Sequence, residues 1–301
     1  MIKKLLKIDN SRILTIIFLY IILIKSLFRL KWNNNRRSKV LDTNEYNFPA
    51  DGVFFILGSG VSINNLTNEN FDSIRDNTSV GINRWVLHEF IPNFYSFEYS
   101  DSKDDLSTVN LINDFLLSDK LLNKNSQILF NHSAFDRNKG LRYKMKNDYL
   151  DKVRVYSTIR LPVWSEKSLF NLLRLILSKF FLRNLPNGLL YGKRASIERM
   201  TYLGVKMGFK KIVYLGIDLN NNDYFWEKKE EIIEKYKLQN YSSGQNNKVH
   251  NTELKHNNFP VSKIIKTIQR VANKNNEIEF FVGNKESELA NFLNIYNWKN
   301  D

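Results

Sequence analysis

The sequence predicts an α/β fold, a Rossmann-like and mostly parallel sheet with helices on both faces. Three observations predict it. Apolar runs of strand length (VFFILG, SVGIN, NFYSFE, QILFN and VRVYST) alternate with helix-like segments near residues 67–75, 106–117 and 138–149. A clearer unit follows: SIERMTYLGVKMG reads as a helix ending at Gly208, KKIVYLGID as a strand, VSKIIKTIQRVANK as a helix and EIEFFVG as a strand. Alternation of this kind implies parallel strands covered by helices, and 43% hydrophobic residues over 301 positions supply the core.

Composition removes several function classes. With no cysteine, thiol catalysis, disulfides and cysteine-ligated metals are excluded. His88, His132, His250 and His256 form no HxxxH or HExxH spacing, so no histidine-built metal site is expected. The net charge of +14 is concentrated in residues 1–40, where ten Lys and Arg face Asp9 alone. The remaining body is only mildly basic and lacks zinc-finger or RNP-type signatures, so no nucleic-acid partner is expected.

Inside that basic segment, ILTIIFLYIILI (Ile13 to Ile24) is an apolar run of twelve residues flanked by cations. Residues 1–32 read as a membrane anchor, spanning if Lys25 and Arg29 snorkel and otherwise lying in the interface; the alternative is a terminal helix packed on the domain. The polar, turn-rich residues 33–52 read as a linker, and residues 53–301 as the Rossmann-like domain. One segment breaks the alternation. SEKSLFNLLRLILSKFFLRNLPNG, residues 165–188, is apolar but punctuated by Lys167, Arg174, Lys179 and Arg183. It is either a core helix or a helical lid of the basic, amphipathic type that lies on membranes.

In such a sheet, ligands bind beyond the carboxyl ends of the strands. GSGVS (Gly58 to Ser62) falls at the first of these ends, as a phosphate-binding turn or a tight corner. It matches neither GxGxxG nor GxxxxGK[ST]. Asn83 follows the second strand, as a base- or ribose-reading amide or a helix cap. Glu98 follows the third, as a pocket carboxylate or a solvated one. After the strand KIVYLG, Asp218 is a ligand-binding or structural carboxylate. Tyr224 offers a phenol to a phosphate or packs on Phe225 and Trp226. His250 and His256 lie in the long polar loop ahead of the helix at Val261, where a histidine suits general-base work near neutral pH. No D-x-D triplet is present, so a transferase built on this chain is not expected to hold a nucleotide diphosphate through a metal ion, and its leaving group is expected to be a monophosphate.

In this order, the chain resembles the bacterial sialyltransferases of glycosyltransferase family 42. FFILGSGVS looks like that family's first strand and turn, and SVGINRW like its second strand ending in Asn. ASIERMTYLGVKMGFKKIVYLGID resembles its Ser-containing helix and Gly-Ile-Asp strand, and KESELANFLNI its closing helix. The resemblance spans roughly Val53 to Ile295 and implies a GT-A-like variant of the fold. It implies nucleotide contacts from Ser59, Gly60, Asn83 and Ser196, with Ser62, Glu98, Asp218 and Asn220 as further nucleotide-binding candidates at the same strand ends. It puts Tyr224, with Lys193 or Arg194, at the leaving phosphate, and His256 at the catalytic base. The sequence departs from the family pattern at Ser59, Val61, Glu98 and Asn220.

The resemblance implies a membrane-associated, metal-independent, inverting glycosyltransferase that moves sialic acid or a related acidic sugar from a CMP-sugar donor to a lipooligosaccharide or other glycan acceptor. No cofactor is expected besides that donor substrate. The expected location is the cytoplasmic face of a bacterial inner membrane, and a homo-oligomer is among the allowed partners. The rival expectations are a non-catalytic Rossmann-like nucleotide-binding membrane protein, or a transferase using another nucleotide sugar.

Overall fold

A computed structural model describes residues 20, 21, 23–25, 28, 39–46, 48, 49, 51–97, 106–118, 125–131, 147–160, 163, 165–193, 195–220, 223–227, 229–236, 250–253 and 259–298; for 106–110, 117, 147–149 and 251 it describes the backbone alone. Most of the expected anchor lies outside these residues, as do Glu98, His132, Arg194 and His256. Among the described residues, no helix is long and apolar enough to cross a membrane.

Strand β2 (Val53–Leu57) shows why the apolar runs become strands. VFFIL is buried along its whole length, as expected for a strand covered on both faces. Because successive side chains point to opposite faces, Phe54 and Ile56 enter one core cluster, whereas Val53, Phe55 and Leu57 enter the other. The other strands are β1 (Lys39–Val40), β3 (Thr78–Ile82), β4 (Phe94–Phe97), β5 (Gln127–Asn131), β6 (Val153–Ile159), β7 (Leu189–Tyr191), β8 (Lys211–Leu215), β9 (Glu279–Val282) and β10 (Asn294–Ile295). Their order is β1-β6-β5-β4-β3-β2-β8-β9-β10, with β7 beside β6. The ladders between these strands are all parallel.

Helices α4 (Glu166–Ile176), α5 (Lys179–Asn184), α6 (Ser196–Lys206) and α8 (Val261–Asn276) supply apolar side chains to the first cluster. Helices α1 (Asn68–Arg75), α2 (Leu106–Leu117), α3 (Asn147–Lys152) and α7 (Glu230–Tyr236) supply the second. The segment expected as lid or core helix is split. Its first part, α4, starts at a Ser165–Ser168 capping box and buries Leu169, Leu172, Leu173 and Ile176. Glu166 of α4 is ion-paired at 2.5 Å with Lys263 of α8. For α4 this is the arrangement of a core helix.

Within the stretch expected as a linker, Lys39 and Val40 pair with Arg154 and Val155 of β6. Leu41 is fully buried beside them, and Arg154 donates to Glu45 at 3.3 Å. Part of that stretch is therefore the edge of the sheet.

The chain order creates a crevice. From β2 the strands proceed outward through β3, β4, β5 and β6; the chain then returns through β7 and α6 to β8, on the other side of β2. The β2–β8 boundary is the topological switch point, where connections leave in opposite directions and the carboxyl ends of the two strands are left open to a ligand.

Candidate functional site

The GSGVS turn leaves β2 at this boundary and runs against the Gly-Ile-Asp that ends β8. Gly58 donates its N–H to the Leu215 carbonyl at 2.7 Å, and Gly60 to that of Gly216 at 2.8 Å. Such close backbone approach needs glycine. A Cβ on Gly58 would run into the Gly216 carbonyl and the Ile217 side chain, and one on Gly60 into the Asp218 carboxylate. Gly216 itself has φ +64, the left-handed region that favours glycine. Gly58→Ala is expected to destabilise the fold by about 2–3 kcal/mol, since part of the obstruction is backbone; urea unfolding would check it, and an unchanged midpoint would contradict the packing described.

The turn is latched shut. Ser62 donates its hydroxyl to Asp218 Oδ1 at 2.5 Å and its N–H to Oδ2 at 3.1 Å. Ser62 and Asp218 are both buried. Burial raises the Asp218 pKa, against the lowering effect of the Ser62 bonds. Val61 donates to the Asp223 carbonyl at 3.1 Å, and Gly60 forms a β-bridge with Tyr224. The residues expected as separate nucleotide contacts, Gly60, Ser62 and Asp218, thus bond to one another or to neighbouring backbone. Ser59 is different: only its carbonyl, which accepts from Phe225 N–H at 3.2 Å, is bonded among the described residues. Its half-buried hydroxyl and N–H are the donors the turn still offers.

Asn83 begins the 3-10 turn after β3 in a left-handed conformation, φ 51. Asparagine is among the few side chains that tolerate this. Its Nδ2 donates to Ser196 Oγ at 3.4 Å. Ser196 is the first residue of α6, where N–H groups lack intrahelical partners and favour an anion. Fully buried Glu198 shapes this terminus by accepting from the N–H of Lys193 at 2.6 Å and of Ala195 at 3.3 Å. Asn83 and Ser196, 113 positions apart, are therefore brought together.

Lys193 lies just ahead of that terminus. Its ammonium stands 3.5 Å from the centroid of the Phe259 ring and donates to the Val163 carbonyl at 3.3 Å. Phe259 is buried and sits three residues after His256. Tyr224 stacks on Trp226 at 4.5 Å, and the buried Arg84 guanidinium lies 5.7 Å from the Tyr224 ring and 5.5 Å from the Trp226 ring. The packing expected between Tyr224 and Trp226 is thus realised. Asn220 is exposed, and its amide is turned away to the Glu286 carbonyl.

One site neighbour, Arg84, has no signal in the sequence. Arg84 follows Asn83 within GINRW, yet nothing in an isolated arginine announces burial. His250, expected with His256 as a general-base candidate, donates its backbone N–H to the Leu219 carbonyl at 3.1 Å, which pins the loop beyond the end of β8. Its Nδ1 is 2.8 Å from Thr252 Oγ1, and burial lowers its pKa. Among the described residues, no three His, Asp or Glu side chains are grouped to hold a metal ion.

No protein-family model matches this chain, and no curated protein matches it. Matching solved structures include the sialyltransferase CstII from Campylobacter jejuni in complex with the substrate analogue CMP-3FNeuAc, at 15% identity over 83% of this chain and 88% of that one, TM-score 0.46. Another holds CstII from the same organism with cytidine-5'-monophosphate, at 15% identity, 83% and 87% coverage and TM-score 0.41. A third is the sialyltransferase CST-II in complex with trisaccharide acceptor and CMP, at 14% identity, 83% and 88% coverage and TM-score 0.42.

Proposed function

We propose that the chain is a glycosyltransferase that moves sialic acid or a related acidic sugar from a CMP-sugar to a glycan acceptor, without a metal and with inversion. The observation that carries the reading is the meeting of Asn83, at the end of β3, with Ser196 at the N-terminus of α6, one strand over from the β2–β8 switch point that carries Ser59. Hydroxyls and an amide suit a cytidine and its ribose, while a helix N-terminus with Lys193 beside it suits one phosphate. His256 takes the proton from the acceptor hydroxyl as the sugar departs, and Tyr224, Lys193 and Arg194 balance the charge left on CMP. The basic, apolar first segment supports a location at a membrane, on the cytoplasmic face, with a glycolipid as acceptor.

The latch between Ser62 and Asp218 favours a second reading, in which the turn is a corner of the fold in a nucleotide-binding protein without turnover. Thermal unfolding with millimolar CMP, UDP, GDP and ATP, with and without EDTA, tests both, because a ligand bound only by the folded chain raises Tm. Selective, EDTA-insensitive stabilisation by CMP is expected. At ligand concentrations about 100 times Kd the gain is about 2.7 kcal/mol. Preference for UDP or GDP would overturn the donor assignment, and CMP binding without sugar transfer would leave the second reading.

A further inference from the structure

The opposite pole of the sheet carries a cavity that the catalytic reading does not use. It lies where β7, β8 and β9 begin, and has a volume of 670 Å³. Lys179, Arg183, Lys206 and Lys210 line it, and no carboxylate does. The nearby Asp42 accepts from Asn187 and from the Asn44 N–H. Two of the cations are held in place by backbone carbonyls: Lys206 donates to those of Leu185 and Pro186 at 3.3 and 3.1 Å, and Lys210 to that of Asn276 at 2.9 Å. An ammonium has three donors, so both retain capacity for an anion.

An apolar side chain protrudes beside these cations. Phe180, next to Lys179 on α5, is 71% exposed, whereas Phe181 and Leu182 pack on the first core cluster. Leu23 packs on the same cluster, and the helical residues around it leave Tyr20, Ile21, Ile24 and Phe28 exposed. Tyr20, Ile24 and Phe28 are four apart and so share one helix face. An exposed Phe180 beside a cavity lined by four cations, with Asp42 near Lys206, matches the chemistry of a bilayer interface, apolar below and anionic above.

We infer that this pole docks on an anionic lipid bilayer, with Phe180 entering the headgroup–acyl boundary and the Lys179, Arg183, Lys206 and Lys210 cavity taking a lipid phosphate. The inference rests on the membrane association proposed above and names the surface that mediates it. It directs the β2–β8 crevice away from the bilayer, toward a glycan that extends from the surface.

Because the chain has no cysteine, an environment-sensitive fluorophore on Phe180→Cys in the full chain reports this contact, with Glu230→Cys on α7 as the control. With phosphatidylcholine vesicles containing phosphatidylglycerol, the label at 180 is expected to shift to the blue and to be quenched by lipid-borne quenchers, and the label at 230 to stay in water. Each cation is worth on the order of fivefold in affinity. Lys206→Met with Lys210→Met is therefore expected to weaken the response about twenty-five-fold, and Lys206→Arg to retain it. A chain that sediments with vesicles while the label at 180 stays in water would overturn the docking surface and leave association through the first segment. Equal shifts on pure phosphatidylcholine, which carries a phosphate but no net charge, would overturn the preference for an anionic bilayer, and an unchanged response in Lys206→Met with Lys210→Met would overturn the phosphate site. A shift without vesicles that grows with protein concentration would assign the surface to a second copy of the chain. No sedimentation at all would remove the membrane reading too.

Discussion

His256→Ala is expected to lower sugar transfer by about 10² to 10⁴-fold, the usual contribution of a general base, while CMP still raises Tm by the wild-type amount. The assignment rests on how the ends of the surrounding loop are pinned. At the upstream end, His250 bonds to the Leu219 carbonyl beside β8, and Glu253 accepts both the N–H of Ser262, at 2.8 Å, and its hydroxyl, at 2.5 Å. At the downstream end, Phe259 is buried against Lys193, three residues ahead of the first residue of α6. The short piece of chain that carries His256 is thus tethered on both sides to elements of the crevice. His250 is the internal comparison. Burial lowers its pKa and so weakens it as a base, and its Nδ1 already accepts from the Thr252 N–H at 3.3 Å. His250→Ala is expected to disturb the loop and raise KM more than it lowers kcat. A full loss of kcat in His250→Ala with wild-type turnover in His256→Ala would transfer the role from one histidine to the other.

The parallel sheet was legible because its strands are short, continuous apolar runs. VFFIL and KIVYL can be buried on both faces only if helices cover both, and the intervening 3.6-residue periodicities supply those helices. β1 and β7 were not legible. The two residues of β1 sit in a polar stretch, and LLY of β7 continues an apolar segment already read as helix; neither has a periodicity of its own. SELANF, expected as a closing helix, is a 3-10 turn at Glu288–Asn291. Its Ser287 hydroxyl caps the turn and also donates to the Ile217 carbonyl at 2.6 Å. In the site, positions at strand ends were legible as candidates, but their partners were not. Ser62 and Asp218 are 156 residues apart, and only the pairing of β2 with β8 turns two suspected ligand contacts into each other's hydrogen-bond partner. Arg84 shows the same limit, since its burial comes from aromatic rings supplied by the distant segment at Tyr224 and Trp226.

That latch sets the second large effect. Asp218→Ala leaves a buried hydroxyl and a buried N–H on Ser62 without their acceptor, each costing about 1–3 kcal/mol, so a loss of roughly 3–4 kcal/mol of stability is expected together with loss of CMP binding. Asp218→Asn should behave quite differently. An amide oxygen can accept the Ser62 N–H while the amide nitrogen donates to the Ser62 hydroxyl, which accepts as readily as it donates. The pH dependence separates charge from geometry. Burial raises the Asp218 pKa above its unfolded value near 4, so between the two values the folded chain holds the proton more firmly than the unfolded chain. The stability from this group is therefore fully present below about pH 4 and is lost as pH rises through the raised value. Asp218→Asn removes that slope and is expected to match or exceed wild-type stability at pH 7, where the buried charge is a cost. Urea unfolding of the three proteins from pH 4 to 8 decides the matter. If Asp218→Asn is as unstable as Asp218→Ala at pH 7, the carboxylate charge itself holds the corner. If neither variant is destabilised, the Ser62–Asp218 pair does not set the geometry of the turn.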